Sequence, residues 1–170
     1  IEGKASRFPA LLPGNRRAVA QVAIGQGAVV VTPLHMAAAV AAIANGGLWC
    51  QPHLNAGTPP EVPVRVISAH AAAVTAEQMA GVVRSGTGRG ARIHGVPLAG
   101  KTGTAQTPSG DDHGWFVAFG PTTRPALALA VIVENSGYGS RHALPIVRAL
   151  FEAAHDMGLL DELGREEAAQ

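Results

Sequence analysis

Apolar residues recur at helical spacing at Leu34, Ala37, Ala38, Ala41 and Ala44, and both ends of that stretch carry stop signals. Thr32 can cap the N-terminus, Pro33 suits the first helical position, and Asn45-Gly46-Gly47 supplies a left-handed exit. The many alanines predict close packing against another element. Residues 1–23 are mixed, with Pro9, Pro13 and Gly14 breaking any long element. A Pro- and Gly-rich loop at 50–61 leads into VPVRVIS (62–68), whose alternation predicts a short strand. Thr75 and Gln78 stand at capping-box spacing and predict a second helix over 75–84, followed by a glycine-rich loop at 85–91. Three apolar runs follow at 96–105, 114–121 and 126–135, separated by short gaps rich in Gly, Pro, Ser, Asp and Thr. Such spacing predicts consecutive antiparallel strands joined by hairpins. The last run is apolar at nearly every position, as expected of a strand covered on both faces. An amphipathic helix over 142–158 closes the pattern, and the charged tail, taken as 155–170, is expected to fray. The order of elements reads as an α+β fold, an antiparallel β-sheet packed with helices.

Composition narrows the function. The chain is 47% hydrophobic and 15% charged, which supports a sizeable core and argues against disorder. A net charge of +1, no Lys/Arg stripe and 4% aromatics leave no footprint for nucleic acid. The single cysteine, Cys50, excludes an intrachain disulfide and reads as a small buried residue. The histidines are scattered, with no H-E-x-x-H spacing, so neither a metal nor a cofactor is expected. No apolar run reaches the about 18 residues of a membrane span. The chain begins at Ile1 without a visible signal peptide and reads as a cut or processed piece of a longer protein.

The stretch LAGKTGTAQ (98–106) carries the candidate chemistry, in a chain whose one other lysine is Lys4. Two patterns compete for Lys101. Gly95-Val-Pro-Leu-Ala-Gly-Lys-Thr102 formally fits the phosphate-binding P-loop. That loop needs a helix directly after it, so that backbone N–H groups cradle phosphate. Here Gly103 and then Gln-Thr-Pro-Ser-Gly-Asp-Asp (106–112) follow, and they cannot start one at once. The second pattern is Lys-Thr-Gly on the rim strand of a serine acyl-transferase cleft, which together with S-x-x-K and S-D-N marks penicillin-binding proteins and class A β-lactamases. There a fixed ammonium attracts a substrate carboxylate and favours ionisation of a hydroxyl. The Thr102 and Thr104 hydroxyls can donate to the same carboxylate, Gly103 lets an acyl chain approach closely, and a strand N–H can serve an oxyanion hole.

The surrounding segments resemble the transpeptidase domain of the penicillin-binding proteins. IGQGAVVVTPLHMAAAVAAIANGG is similar to that family's stretch between its second and third motifs. SGTGRGA is similar to its loop before the motif strand, and GKTGTAQ to the third motif itself. HGWFVAFGP and ALAVIVEN resemble the next two strands, and ALPIVRALFEAA the terminal helix, so the likeness runs from about 20 to 154.

The resemblance implies a serine nucleophile within S-x-x-K and a second motif S-x-N. None of Ser6, Ser68, Ser85, Ser109, Ser136 and Ser140 has a lysine three residues on or an asparagine two residues on. The family order places both motifs upstream of Lys-Thr-Gly. The chain is therefore expected to be the C-terminal portion of a transpeptidase domain, a partial penicillin-binding fold. The upstream half would be cleaved, separate or absent, and this chain alone inactive, because an acyl-enzyme needs an activated serine.

For the parent, the resemblance implies acyl transfer on D-Ala-D-Ala stem peptides of peptidoglycan, with β-lactams trapping the acyl-enzyme. It implies a site on the extracytoplasmic face of a bacterial membrane. The carried-over residues are Lys101, Thr102, Gly103 and Thr104, with Lys101 and Thr104 catalytic and the Thr104 N–H in the oxyanion hole. The expected partners are the stem peptide, β-lactams and the missing N-terminal half. A degenerate homologue that binds peptide or partner without acylating, and a P-loop nucleotide-binding protein, are the alternatives.

Other positions have ordinary readings beside the sharper ones. Gly86-Thr-Gly-Arg-Gly90 reads equally as a plain turn or as the floor of a cleft. Arg89 and Arg92 read as solvated arginines that could reach a carboxylate, and His113 as structural or solvated. Trp115 and Phe116 read as core, Gly25-Gln26-Gly27 as a close-packing turn, and Glu134 and Asn135 as the end of a strand.

Overall fold

A computed structural model describes residues 5–11, 14–55, 57–59, 61–107 and 110–160. Helix α1 (Arg16–Ala23) forms where the sequence offered only a broken segment. Asn15 starts it, its side chain accepting the Ala18 N–H at 3.0 Å. Helix α2 (Pro33–Ala44) is as expected: Thr32 accepts the His35 N–H, and Gly46 and Gly47 leave the helix with φ of 61° and 93°. A two-stranded ribbon follows, β1 (Leu48–Trp49) antiparallel to β2 (Val64–Arg65). The strand expected over 62–68 thus shortens to two exposed residues, since nothing among the described residues covers its apolar side chains.

Helix α3 (Ala69–Ser85) corrects the expected start at Thr75. Ser68 is the cap, accepting the Ala71 N–H at 3.1 Å, and Thr75 lies inside the helix, its hydroxyl donating to the Ala71 carbonyl at 2.8 Å. The run Ala-His-Ala-Ala-Ala-Val (69–74) has few side chains that resist helix, so the helix extends back to the first residue able to cap it.

The main sheet holds β3 (Ala99–Ala105), β4 (His113–Gly120) and β5 (Leu127–Val133), antiparallel in that order. Lys101 lies opposite Val117 and Thr104 opposite Gly114. Because side chains alternate across a strand, each strand serves two cores. One face sends Phe116, Ala118 and Leu129 against Val147 and Phe151 of helix α4 (Ala143–Asp156). The other sends Ala99, Val117, Phe119 and Ala130 against Val40 of α2 and Met79 of α3. The result is a helix–sheet–helix sandwich. Strand β5 touches both helical layers, as its apolar run predicts, yet stays half-buried throughout because it lies at one side of this sheet.

Of residues 155–160, expected to fray with the tail, 155 and 156 complete α4 and Leu160 packs back on it, while Met157 and Leu159 stay exposed. Leu160 is 2% exposed within the α4 core, since two leucines follow Gly158 before the charged stretch begins. The remainder of that tail, 161–170, lies outside the described residues. Cys50 is exposed rather than buried, because it sits in the loop after β1.

Gly100, next to the candidate lysine, is required by packing. A Cβ there would stand 2.9 Å from Phe116 Cζ and 2.9 Å from the Val117 carbonyl oxygen. Gly100→Ala is expected to destabilise the fold by about 1–3 kcal/mol through overpacking, read as a lowered urea midpoint.

Candidate active site

Strand β3 is an outer strand of the sheet, and its outward edge forms the candidate site. In an antiparallel pair, alternate residues turn both their N–H and C=O toward the neighbour or away from it. On β3 the outward set is Gly100, Thr102, Thr104 and, past the strand end, Gln106. The Thr102 carbonyl accepts the Lys101 ammonium at 2.7 Å, the Thr104 carbonyl accepts the Gln26 amide at 3.0 Å, and the Gln106 N–H donates to Gln26 Oε1 at 3.4 Å. None of these contacts is with β4.

The side chains alternate independently of this edge. Lys101 and Gly103 share the face of Ala99, and Thr102 and Thr104 the face of Phe116. Lys101 is exposed, and its ammonium folds back over the edge to the Thr102 carbonyl. The structure therefore brings the lysine to the edge from one face and the two threonine hydroxyls from the other. The Thr102 hydroxyl lies 2.9 Å from that of Thr87, in the glycine-rich loop after α3. If Thr87 donates, the Thr102 proton is free for another acceptor. Thr87 also borders an open hollow lined by Ser85, Gly86, Arg89, Gly90, Ser140 and Leu144, so this loop touches the candidate strand instead of being a detached turn.

The remaining candidates are structural. Arg92 Nε donates to the Arg89 carbonyl at 3.2 Å. His113 Nδ1 accepts the Asn135 N–H at 3.0 Å, which ties β4 to the turn after β5. Phe116 is fully buried and Trp115 half-buried. The hydroxyls of Ser6, Ser68, Ser85 and Ser136 each bond to backbone groups. Among the described residues no cluster of three His, Cys, Asp or Glu could hold a metal ion, and no helix is long and apolar enough to cross a membrane.

One contributor was not legible as such: Gln26, in the turn between α1 and α2, bonds β3 from 78 residues away. Its signal was a polar side chain between two glycines, and nothing in the spacing named a partner.

The P-loop alternative fails on this geometry. Lys101 sits inside a strand that continues to Ala105, with no helix to receive phosphate behind it. Comparison with known proteins decides the family: the penicillin binding protein transpeptidase domain matches residues 3–152.

The chain belongs to the penicillin-binding protein transpeptidase family.

Relatives within the family include the peptidoglycan D,D-transpeptidase MrdA of Acinetobacter baumannii, 38% identical over 148 residues, covering 72% of this chain and 22% of the relative. PbpA of Mycobacterium tuberculosis, also a peptidoglycan D,D-transpeptidase, is 38% identical over 160 residues, covering 81% of this chain and 32% of the relative. The chain thus spans less than a third of the length of these transpeptidases. Among solved structures, the ceftriaxone acyl-enzyme complex of penicillin-binding protein A from M. tuberculosis superposes with a TM-score of 0.74 at 36% identity, covering 83% of this chain and 36% of that one. The apo transpeptidase domain of Burkholderia pseudomallei penicillin-binding protein 3 shares the fold, with a TM-score of 0.75 at 24% identity over 89% of this chain and 50% of that one.

The Thr87–Thr102 contact can be tested directly. Thr87→Val keeps the shape of the loop and removes the hydroxyl, so it is expected to cost less than about 1 kcal/mol in urea unfolding, with Thr87→Ser close to the parent.

Proposed function

We propose that residues 1–170 are the C-terminal portion of a transpeptidase domain and form the β3 wall of its acyl-transfer site. The carrying observation is the Lys101 ammonium lying on the outward edge of β3, beside peptide groups without a strand partner. A chain that adds to this edge antiparallel would meet the lysine, the Thr104 N–H and the Thr104 carbonyl in turn.

The chemistry follows from the groups. A serine hydroxyl on the remainder of the domain gives its proton to the lysine of its S-x-x-K motif, which later passes it to the leaving amine, and attacks the penultimate D-alanine carbonyl of a stem peptide. As its oxygen bonds to that carbon, the negative charge passes to the carbonyl oxygen, where the Thr104 N–H stabilises it. Collapse of this intermediate breaks the bond to the terminal D-alanine, which leaves with a proton. An amine from a neighbouring stem then displaces the serine and restores its hydroxyl, completing the cross-link. Lys101 supplies a positive field that favours the ionised serine and the substrate carboxylate, and the Thr102 and Thr104 hydroxyls donate to that carboxylate. Gly103, without a side chain, lets the acyl chain lie close to the strand. β-Lactams occupy the same edge as the stem peptide. That the M. tuberculosis relative forms acyl-enzyme complexes with ceftriaxone and imipenem supports β-lactam acylation of the parent domain.

The rest of the domain also accounts for apolar surface that this chain leaves open. Helix α1 has no buried residue, Val19 and Ile24 are 47% and 75% exposed, and Phe8 and Leu34 are exposed as well. An eight-residue helix is too short to persist without such packing. We assign that cover to the serine-bearing half, and the working site to the extracytoplasmic face of a bacterial membrane.

Labelling with fluorescent penicillin tests the proposal. Residues 1–170 alone are expected to take no covalent label, and mixing with the serine-bearing half is expected to place the label on that half. In the complete domain, Lys101→Ala is expected to slow labelling by about 10²-fold or more, as loss of an electrostatic stabiliser does. A covalent adduct on residues 1–170 alone would overturn the assignment. Normal labelling without Lys101 would point instead to a wall that binds peptide without taking part in acylation.

A further inference from the structure

The Gln26 carboxamide bonds the outward edge of β3 at two points. Its Nε2 donates to the Thr104 carbonyl at 3.0 Å, and its Oε1 accepts the Gln106 N–H at 3.4 Å. These two groups flank Ala105, which is how a residue on a parallel neighbouring strand would engage β3. One side chain thus stands in for one rung of an added strand. The turn that presents it is built for the purpose: Gly25 and Gly27 have φ of 72° and 74°, and the Gln26 N–H is held by the Gln21 carbonyl at 2.8 Å.

Counting donors and acceptors gives the consequence. Gln106 has one backbone N–H, and Gln26 uses it. A carbonyl oxygen has two lone pairs, so Thr104 keeps one for a further donor. The Thr104 N–H is not engaged by Gln26. An incoming chain can therefore pair with β3 as far as Thr104 and no further.

We propose that Gln26 is a positioning residue that ends the substrate groove: it holds the Thr104 carbonyl outward and limits pairing to acyl donors that place one amide N–H against it. Beyond that amide the acyl chain must turn away from the sheet. The inference rests on the reading of β3 as the acyl-transfer wall and names a specificity determinant within it.

The test uses the complete transpeptidase and two β-lactams. Penicillin G carries an acylamino N–H able to reach the Thr104 carbonyl, whereas the penam nucleus without its acylamino group has none. Gln26→Ala and Gln26→Met are compared with the parent, the methionine variant keeping side-chain length and the fold while removing both bonds. Both variants are expected to lower the second-order acylation constant for penicillin G about tenfold, the scale of one hydrogen bond, and that for the bare nucleus by less than about threefold. Equal losses on both compounds would reduce Gln26 to scaffolding, and no loss on penicillin G would remove its role; either result overturns the inference. Lys101→Ala separates the two levels. If it slows both compounds, the site reading stands whatever Gln26 does; if it slows neither, the assignment of β3 falls and the inference with it.

Discussion

An outer β-strand leaves every second peptide group without a strand partner, and that constraint organises this protein. Along the outward edge of β3, Thr102, Thr104 and, just past its end, Gln106 each receive something other than a strand: a lysine ammonium, a glutamine amide, a glutamine oxygen. Both faces of the same sheet are meanwhile filled, by α4 on one side and by α2 and α3 on the other. The strand can therefore neither twist away nor shift by one residue, because a slip would carry Lys101 and Thr102 to the opposite faces. Packing on both faces is what holds this open edge in place.

Fixing the edge in this way has a chemical consequence. Hydrogen-bond donors that are already aimed need no reorganisation when charge develops beside them, and a site held by two buried layers keeps that aim. Gly100 allows Phe116 to pack directly under β3 one residue before the lysine, so the core reaches almost to the site. The Thr87 hydroxyl then ties the glycine-rich loop to Thr102 from the side of α4. Lys101 itself is exposed, and its ammonium donates to the adjacent Thr102 carbonyl.

Local signals carried much of this structure. The capped alanine-rich helix at Pro33–Ala44 and the hairpin-linked strands through Lys101, Phe116 and Val131 were legible because caps, glycine exits and alternation act over a few residues. The start of α3 was misread because Thr75 and Gln78 imitate a capping box while the alanines before them quietly extend the helix to Ser68. Helix α1 was hidden because, among the described residues, it has no buried face. Gln26 escaped for a different reason. Its partners lie 78 residues on, and a side chain that mimics a strand leaves no periodicity of its own. The lysine motif was visible from the start, but only the strand around it ruled out a phosphate loop.

The most direct measurement of the central claim is an experimental structure of the complete transpeptidase acylated by a β-lactam. The account predicts the acyl carbonyl oxygen within about 3 Å of the Thr104 nitrogen, with the Lys101 ammonium facing the serine ester across the cleft. An adduct whose carbonyl points away from β3, with Lys101 turned to bulk solvent, would contradict it.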